Sequence, residues 1–205
     1  MSTDKSVAEF EAEKRRRMAE LSVLVEGGEV DDGVLSVLDL INGLDGFFTL
    51  SSCAGRMQVI SVPEIGDKRN SVVWGKWHRA PGFEDVLSAA GRYEAEGRDG
   101  LLFLLVQSPI FHVACFGLEK GKRLRDLAVG AGFKYSSLKS VRGERVVVEV
   151  LGADRMDVPL GRDGRLAVDS EQLRFFYDVG CMVLERGKRH LERFKRELEV
   201  WRGGG

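Results

Sequence analysis

The sequence predicts an α+β protein in which an antiparallel or mixed sheet is flanked by helices, with one long C-terminal helix and a non-Rossmann arrangement. Three observations carry that expectation. Apolar β-type runs and amphipathic helical stretches intermix without the regular β-α-β alternation of a doubly wound parallel sheet. Several of the runs are separated by short polar turns, which favours hairpins. No Gly-x-Gly-x-x-Gly follows a strand, so a bound nucleotide would not use that familiar phosphate loop.

Taken in order, Ser6 to Val25 reads as a helix, with Ser6-x-x-Glu9 as a capping-box pattern and Val7, Phe10, Met18, Leu21 and Val25 near one face. Lys14-Arg15-Arg16-Arg17 inside it reads as a solvated face balanced by neighbouring glutamates. A second helix follows Asp31-Asp32 and directs Val34, Val37, Leu38, Ile41 and Leu44 inward. Gly46–Leu50 and Met57–Val62 read as strands that form a hairpin, and Ser71–His78 adds a third strand to make a meander. Phe83–Ala90 is a short helix. Leu101–Val106 is a buried strand, which Ile110–Cys115 extends past Pro109. Leu118–Ala131 is a helix ended by Gly132, and Ser136–Val141 pairs with Arg145–Leu151 through a turn at Arg142-Gly143-Glu144. From Ser170 to Trp201, Leu173, Phe176, Gly180, Leu184, Gly187, Leu191, Phe194, Leu198 and Trp201 recur at three- and four-residue steps. That stripe predicts one continuous packed helix, with the two glycines allowing close backbone approach.

Composition sets further bounds. With 205 residues and 43% hydrophobic content, the chain suits a single domain over residues 1–205. Its 31 basic and 32 acidic residues leave a net charge of −1, so any nucleic-acid contact must come from local patches. Cys53, Cys115 and Cys181 are odd in number and widely spaced, which argues against a disulfide framework or a structural zinc site and fits a reducing cytoplasm. No stretch has the length and apolarity of a membrane span, and no signal-peptide core is present.

Ser51-Ser52-Cys53-Ala54-Gly55-Arg56 is the densest polar motif, a corner of hydroxyls, a thiol and a guanidinium at a strand end. Such corners present backbone N–H groups to anions. Of three histidines, His78 and His112 also lie at strand ends, with Lys76, Trp77, Ser136 and Ser137, whereas His190 sits among the charges of the terminal helix. One sheet would gather the strand-end group.

These residues carry a family resemblance. The hexapeptide Ser51–Arg56 resembles the Ser-Ser-Cys-Ser-Gly-Arg signature of the tRNA wybutosine-synthesising N4-methyltransferases, including their archaeal wyosine-pathway members. The resemblance continues at Gly75-Lys76-Trp77-His78-Arg79-Ala80-Pro81, at Pro109-Ile110-Phe111-His112-Val113-Ala114-Cys115 and at Ala131-Gly132-Phe133-Lys134-Tyr135-Ser136-Ser137. Four motifs in order cover most of the chain. Two positions depart: Ala54 replaces a serine, and Phe116 stands where many members have arginine, leaving Arg123 or Arg125 as substitutes.

The resemblance implies an S-adenosyl-L-methionine-dependent enzyme that methylates N4 of the 7-aminocarboxypropyl-demethylwyosine base at position 37, in the anticodon loop of phenylalanine tRNA. His78 or His112 would be the base that takes the ring-nitrogen proton. Ser51, Ser52, Arg56 and Ser137 would hold the cofactor, with Arg56 also suited to a carboxylate on the modified base. Lys76, Trp77 and Arg79 would contact the tRNA, and Trp74 or Trp77 would stack on an exposed base, although strand alternation allows only one of the two to face inward. Three rivals remain at this point: a non-catalytic tRNA- or nucleotide-binding module, a hydrolase using Ser52 or Cys53 with a histidine but no evident acidic partner, and a metal site at His112 and Cys115.

Overall fold

A computed structural model describes residues 2–203, and the side chains of residues 5–203. In chain order its elements are α1 (Ser2–Glu26), α2 (Asp32–Asn42), β1 (Phe47–Cys53), β2 (Arg56–Val62), β3 (Val72–Trp77), α3 (Phe83–Glu96), β4 (Leu101–Gln107), β5 (Ile110–Phe116), α4 (Leu118–Ala131), β6 (Ser137–Arg142), β7 (Arg145–Leu151), β8 (Arg155–Arg162), β9 (Arg165–Leu166) and α5 (Ser170–Gly203). The expected α+β class with antiparallel sheets and a long terminal helix is what is found.

The residues divide into two compact units. The first takes residues up to Ala54, Pro109–Ala153 and the chain from Lys188; the second takes Gly55–Ser108 and Asp154–Gly187.

In the first unit a four-stranded antiparallel sheet has the order β1-β5-β7-β6. Strand alternation sends Phe111, Val113 and Cys115 of β5, and Val146, Val148 and Val150 of β7, into a core with α2, α4 and the last turns of α5. The intervening residues point the other way, where Phe48 and Ala114 pack against Phe10 of α1. Phe116 completes that cluster edge-on to Phe10, with centroids 5.4 Å apart, so the position that often carries arginine here packs. Ala54 is buried and donates its N–H to Asp31 at 3.2 Å. Gly132 ends α4 at φ +114°, a conformation that suits glycine, and a Cβ there would meet the His190 ring at 2.5 Å. His190 is accordingly buried beside Phe133, not exposed among charges.

Helix α1 begins at Ser2, so Ser6 lies within it and is no cap. What anchors it is a two-pronged pair: Arg145 of β7 donates from Nε and Nη2 to the two Glu13 oxygens, each at 2.9 Å. That hydrogen bonding holds the Glu13 carboxyl below its ordinary value against an opposing effect of burial. A carboxyl lowered in the folded state contributes stability above the unfolded value, and that contribution is lost as pH falls through the folded one. Glu13→Gln is therefore expected to cost on the order of 1 kcal/mol at pH 7 and progressively less below about pH 4. Urea denaturation of both proteins at pH 7 and pH 3 checks this, and an equal difference at the two pH values would refute it.

The second unit has a five-stranded antiparallel sheet, β3-β2-β4-β8-β9. Met57, Val59, Leu102, Leu104 and Val106 face α3 and the first turns of α5. The expected close approach occurs at Gly180, where a Cβ would stand 3.0–3.1 Å from Met57, Met156 and Val106. Asp169 starts α5 reciprocally: its carboxylate accepts the Gln172 N–H at 2.8 Å, and the Gln172 side chain accepts the Asp169 N–H at 3.0 Å.

Two expected pairings are overturned. Strands β1 and β2 form no hairpin, because β1 pairs with β5 while β2 pairs with β3 and β4. Likewise β5 does not prolong β4 but belongs to the other sheet; Pro109, which lacks an N–H, stands where the ladder stops. The β2–β3 and β6–β7 hairpins form as expected. Helix α3 runs on to Glu96, beyond the expected Ala90.

Candidate active site

One polar row crosses the first unit's sheet. Ser51 on β1 is the register partner of His112 on β5, His112 of Glu149 on β7, and Glu149 of Ser137 on β6. All four positions lie on the face that α1 partly covers. Two bulges set what stands there. In β1 the extra residue Leu50 shifts the alternation, so Ser51 joins His112's face where an unbroken strand would turn it toward the three-helix core. In β6 the extra residue is Lys139, whose ammonium lies 3.0 Å from Glu149 Oε1.

The hydrogen bonds follow the row. Glu149 Oε1 lies 3.1 Å from His112 Nε2, and Ser51 Oγ lies 2.9 Å from His112 Nδ1. Burial raises the Glu149 carboxyl, but the hydrogen bonds from Lys139 and His112 outweigh it and leave the group below its ordinary value. An ionised carboxylate only accepts, so Nε2 carries the proton toward it, and Nδ1 presents its lone pair to the Ser51 hydroxyl. His112 is 30% exposed along its side chain, enough for a reactant to reach it, whereas Glu149 behind it is 13% exposed. Such an arrangement has the chemistry that a carboxylate-supported general base requires.

Beside the Ser51 end of the row, a cavity of about 290 Å³ opens between the second half of α1, the Glu29–Asp31 turn and the end of β1. Leu21, Leu24 and Val30 give it apolar walls, Glu29 and Asp31 supply carboxylates, and Ser51 and Ser52 border it. Arg17 also reaches it, with Nη1 held by Glu20 at 2.9 Å and a buried Nε that has no hydrogen-bond partner among the described residues.

In the second unit Arg56, Gln107 and Arg155 form a cross-strand row on β2, β4 and β8. Arg56 Nε donates to Gln107 Oε1 at 2.9 Å, Gln58 adds a bond to the same oxygen at 3.3 Å, and Arg155 pairs with Asp157. Lys76 is the partner of Gln58 and is exposed. A bulge at Trp74 places both Trp74 and Trp77 on the helix-covered face, correcting the expectation that only one could point inward. Trp74 is buried with its N–H on Ser61 Oγ at 3.0 Å, which removes it as a stacking platform. Trp77 is half-buried, its ring folded over Gly75 where a Cβ would lie 2.1 Å away. His78 Nδ1 is 3.0 Å from the Gly55 carbonyl oxygen, which can only accept, and Arg79 is exposed.

The family described as Methyltransferase TYW3 matches residues 12–200. The chain belongs to this family. A Thermococcus kodakarensis protein called tRNA(Phe) 7-((3-amino-3-carboxypropyl)-4-demethylwyosine(37)-N(4))-methyltransferase 1 is 43% identical over 190 residues, covering 93% of this chain and 94% of that one. A Pyrococcus furiosus protein with the same name is 40% identical over 191 residues, covering 93% and 95%. A solved structure of a Pyrococcus horikoshii protein superposes with a TM-score of 0.87 at 37% identity, covering 94% of this chain and 97% of its own.

For a methyltransferase of this family, the first unit brings together Ser51, His112 and Ser137, and the second contains Arg56, Lys76, Trp77, His78 and Arg79. Sequence reasoning missed Glu149 and Lys139, although an acid inside Val146-Val147-Val148-Glu149-Val150 was a usable signal, since a strand otherwise made of valine has little reason to hold a charge. It also assigned Arg17 to a solvated face. His112 and Cys115, three apart on one strand, point to opposite faces and cannot share a metal ion. Burial pushes the Cys115 thiol up to about 12, which makes it inert. Arg123 stacks on Trp201 at 4.3 Å and Arg125 binds Asp126, so both arginines offered as substitutes at Phe116 have other roles.

Proposed function

We propose that this methyltransferase uses S-adenosyl-L-methionine to methylate N4 of the 7-aminocarboxypropyl-demethylwyosine base at position 37, in the anticodon loop of phenylalanine tRNA. The observation that carries the reading is the Ser51–His112–Glu149 row, because it supplies what an N-methylation needs from the protein, a base for the proton on nitrogen. The names of the relatives supply the substrate. A cytoplasmic setting fits, and no described helix is long and apolar enough to cross a membrane.

The residues fit the donor. Arg17 Nε, buried and without a hydrogen-bond partner among the described residues, suits a carboxylate, and the carboxylates and apolar walls of the same cavity suit a cationic nucleoside. When bound, the donor supplies a methyl group on a sulfonium that departs as a thioether. The chain's own residues do the rest. Ser51 takes the N4 proton and passes its own to His112 Nδ1, while Glu149 stabilises the imidazolium that results and keeps the ring in the required tautomer. Holding the nitrogen in line with the methyl group is the other large contribution. Ser137, beside Glu149 at the far end of the row, and Ser52, on the border of the cavity, orient the bound groups. In the second unit, taken by itself, Arg56 suits a carboxylate, Lys76 and Arg79 suit phosphates of the tRNA, and Trp77 suits an unstacked base. His78 has a positioning role, its Nδ1–H spent on the Gly55 carbonyl. Residues 1–205 act as one methyltransferase domain.

The test is methyl transfer from labelled S-adenosyl-L-methionine to tRNA from cells blocked at this step, with mass analysis of the digested nucleosides. A methyl gained on the tricyclic base is the expected result; binding of that tRNA without transfer would overturn the reading in favour of a binding module. In the same assay Arg56→Ala is expected to raise KM for tRNA roughly tenfold or more, the loss of one charge-assisted contact. Unchanged kcat/KM would remove Arg56 from the site.

A further inference from the structure

We propose that the cavity along the second half of α1 is the methyl-donor pocket, with Arg17 as its carboxylate contact and the walls formed by Leu21, Leu24 and Val30 as its adenine slot. This rests on the reading that the donor is S-adenosyl-L-methionine. Three properties of the cavity argue for a ligand of that chemistry. Its volume of about 290 Å³ lies at the lower end for small-molecule sites, a size that a nucleoside occupies closely. Its polar groups have mixed sign, with Arg17 against Glu20, Glu29 and Asp31, which complements a ligand carrying a sulfonium, an ammonium and a carboxylate. Arg17 Nε is a buried donor with no partner among the described residues, and a buried donor left without an acceptor is costly. A ligand carboxylate satisfies it, and the guanidinium can grip such a group with two parallel bonds while Nη1 stays on Glu20.

Position adds a fourth argument. Ser51 both borders the cavity and donates to the base His112, so a methyl group carried by a ligand there lies on the Ser51 side of the proton acceptor. The Lys14-Arg15-Arg16-Arg17 run thereby divides its labour. Lys14 Nζ bonds the Leu44 carbonyl at 2.9 Å, Arg16 extends toward Glu20 from an exposed position, and Arg17 turns into the cavity.

The experiment is isothermal titration of the full chain with S-adenosylhomocysteine and, separately, with methylthioadenosine, which lacks the amino-acid carboxylate. Leu24 is 40% exposed, so Leu24→Trp fills the cavity without disturbing the core, and Val129→Trp on α4, also 40% exposed, is the control. Leu24→Trp is expected to weaken both ligands by roughly tenfold or more, and Arg17→Ala to weaken S-adenosylhomocysteine by a similar factor while sparing methylthioadenosine. Val129→Trp leaves both unchanged. If wild type binds S-adenosylhomocysteine and Leu24→Trp binds it equally well, the pocket lies elsewhere and the donor reading stands. If wild type binds neither ligand, the donor reading fails together with the pocket. Equal weakening of both ligands by Arg17→Ala overturns the carboxylate assignment.

Discussion

His112→Ala is expected to lower kcat for methyl transfer by about 10²–10⁴-fold while leaving KM for tRNA within a few-fold of wild type. The imidazole is the strongest base the row offers, since Glu149 is held ionised and Lys139 is committed to it. Glu149→Gln should lose less turnover, because the imidazole remains but its developing positive charge is no longer balanced, and an amide oxygen fixes the tautomer less firmly. The two variants differ in a second readout. Removing the carboxylate's counter-charge should move the acid limb of the pH–kcat profile in Glu149→Gln to lower pH, an effect that a purely structural role would not produce. Ser51→Ala should fall between the two if the hydroxyl relays the proton. Steady-state kinetics with single-turnover controls across pH decide the matter. Full turnover in His112→Ala would mean that the nitrogen loses its proton without this residue, and a collapse confined to His78→Ala would transfer the role to the second unit.

What the sequence revealed and what it hid divide along a physical line. Most local signals survived folding, the Ser6-x-x-Glu9 pattern inside α1 being an exception. The stripe from Leu173 to Trp201 became α5, Gly132 ended α4 in the left-handed region, and Arg142-Gly143-Glu144 closed the β6–β7 hairpin. Each depends on residues a few positions apart. Strand partners are chosen over tens of residues, and there the reading failed: a polar corner at Ser51–Arg56 looks like a hairpin turn until β1 is found beside β5. Facing was hidden for a different reason. One extra residue reverses every side chain beyond it, and Leu50, Trp74 and Lys139 are such residues. No pattern in the sequence separates a bulged leucine from a paired one. His112 was singled out through its motif, whereas Glu149, its hydrogen-bond partner, lies 37 residues away on a strand read only as one arm of a hairpin.

Phe194→Ala is expected to cost about 3–5 kcal/mol of stability, read by urea denaturation. The ring is fully buried, 5.5 Å from the Phe133 ring and 6.2 Å from that of Phe111, in the core that joins α5 to the first unit's sheet. Loss of transfer energy accounts for part of the cost. The rest arises because Phe111 sits on a strand hydrogen-bonded on both sides and cannot move into the space, so a cavity remains. Phe194→Leu keeps most of the volume and should cost only about 1–1.5 kcal/mol. The pair also tests the site. Phe111 immediately precedes His112, so the two side chains leave the same stretch of β5 toward opposite faces, and Phe194 packs behind the strand segment that carries His112. If that packing matters, Phe194→Leu, though folded, will lose kcat in methyl transfer while retaining affinity for S-adenosylhomocysteine, because the cavity beside Ser51 is walled by α1 and not by α5. Equal loss of turnover and affinity would instead show that the substitution loosens the whole unit.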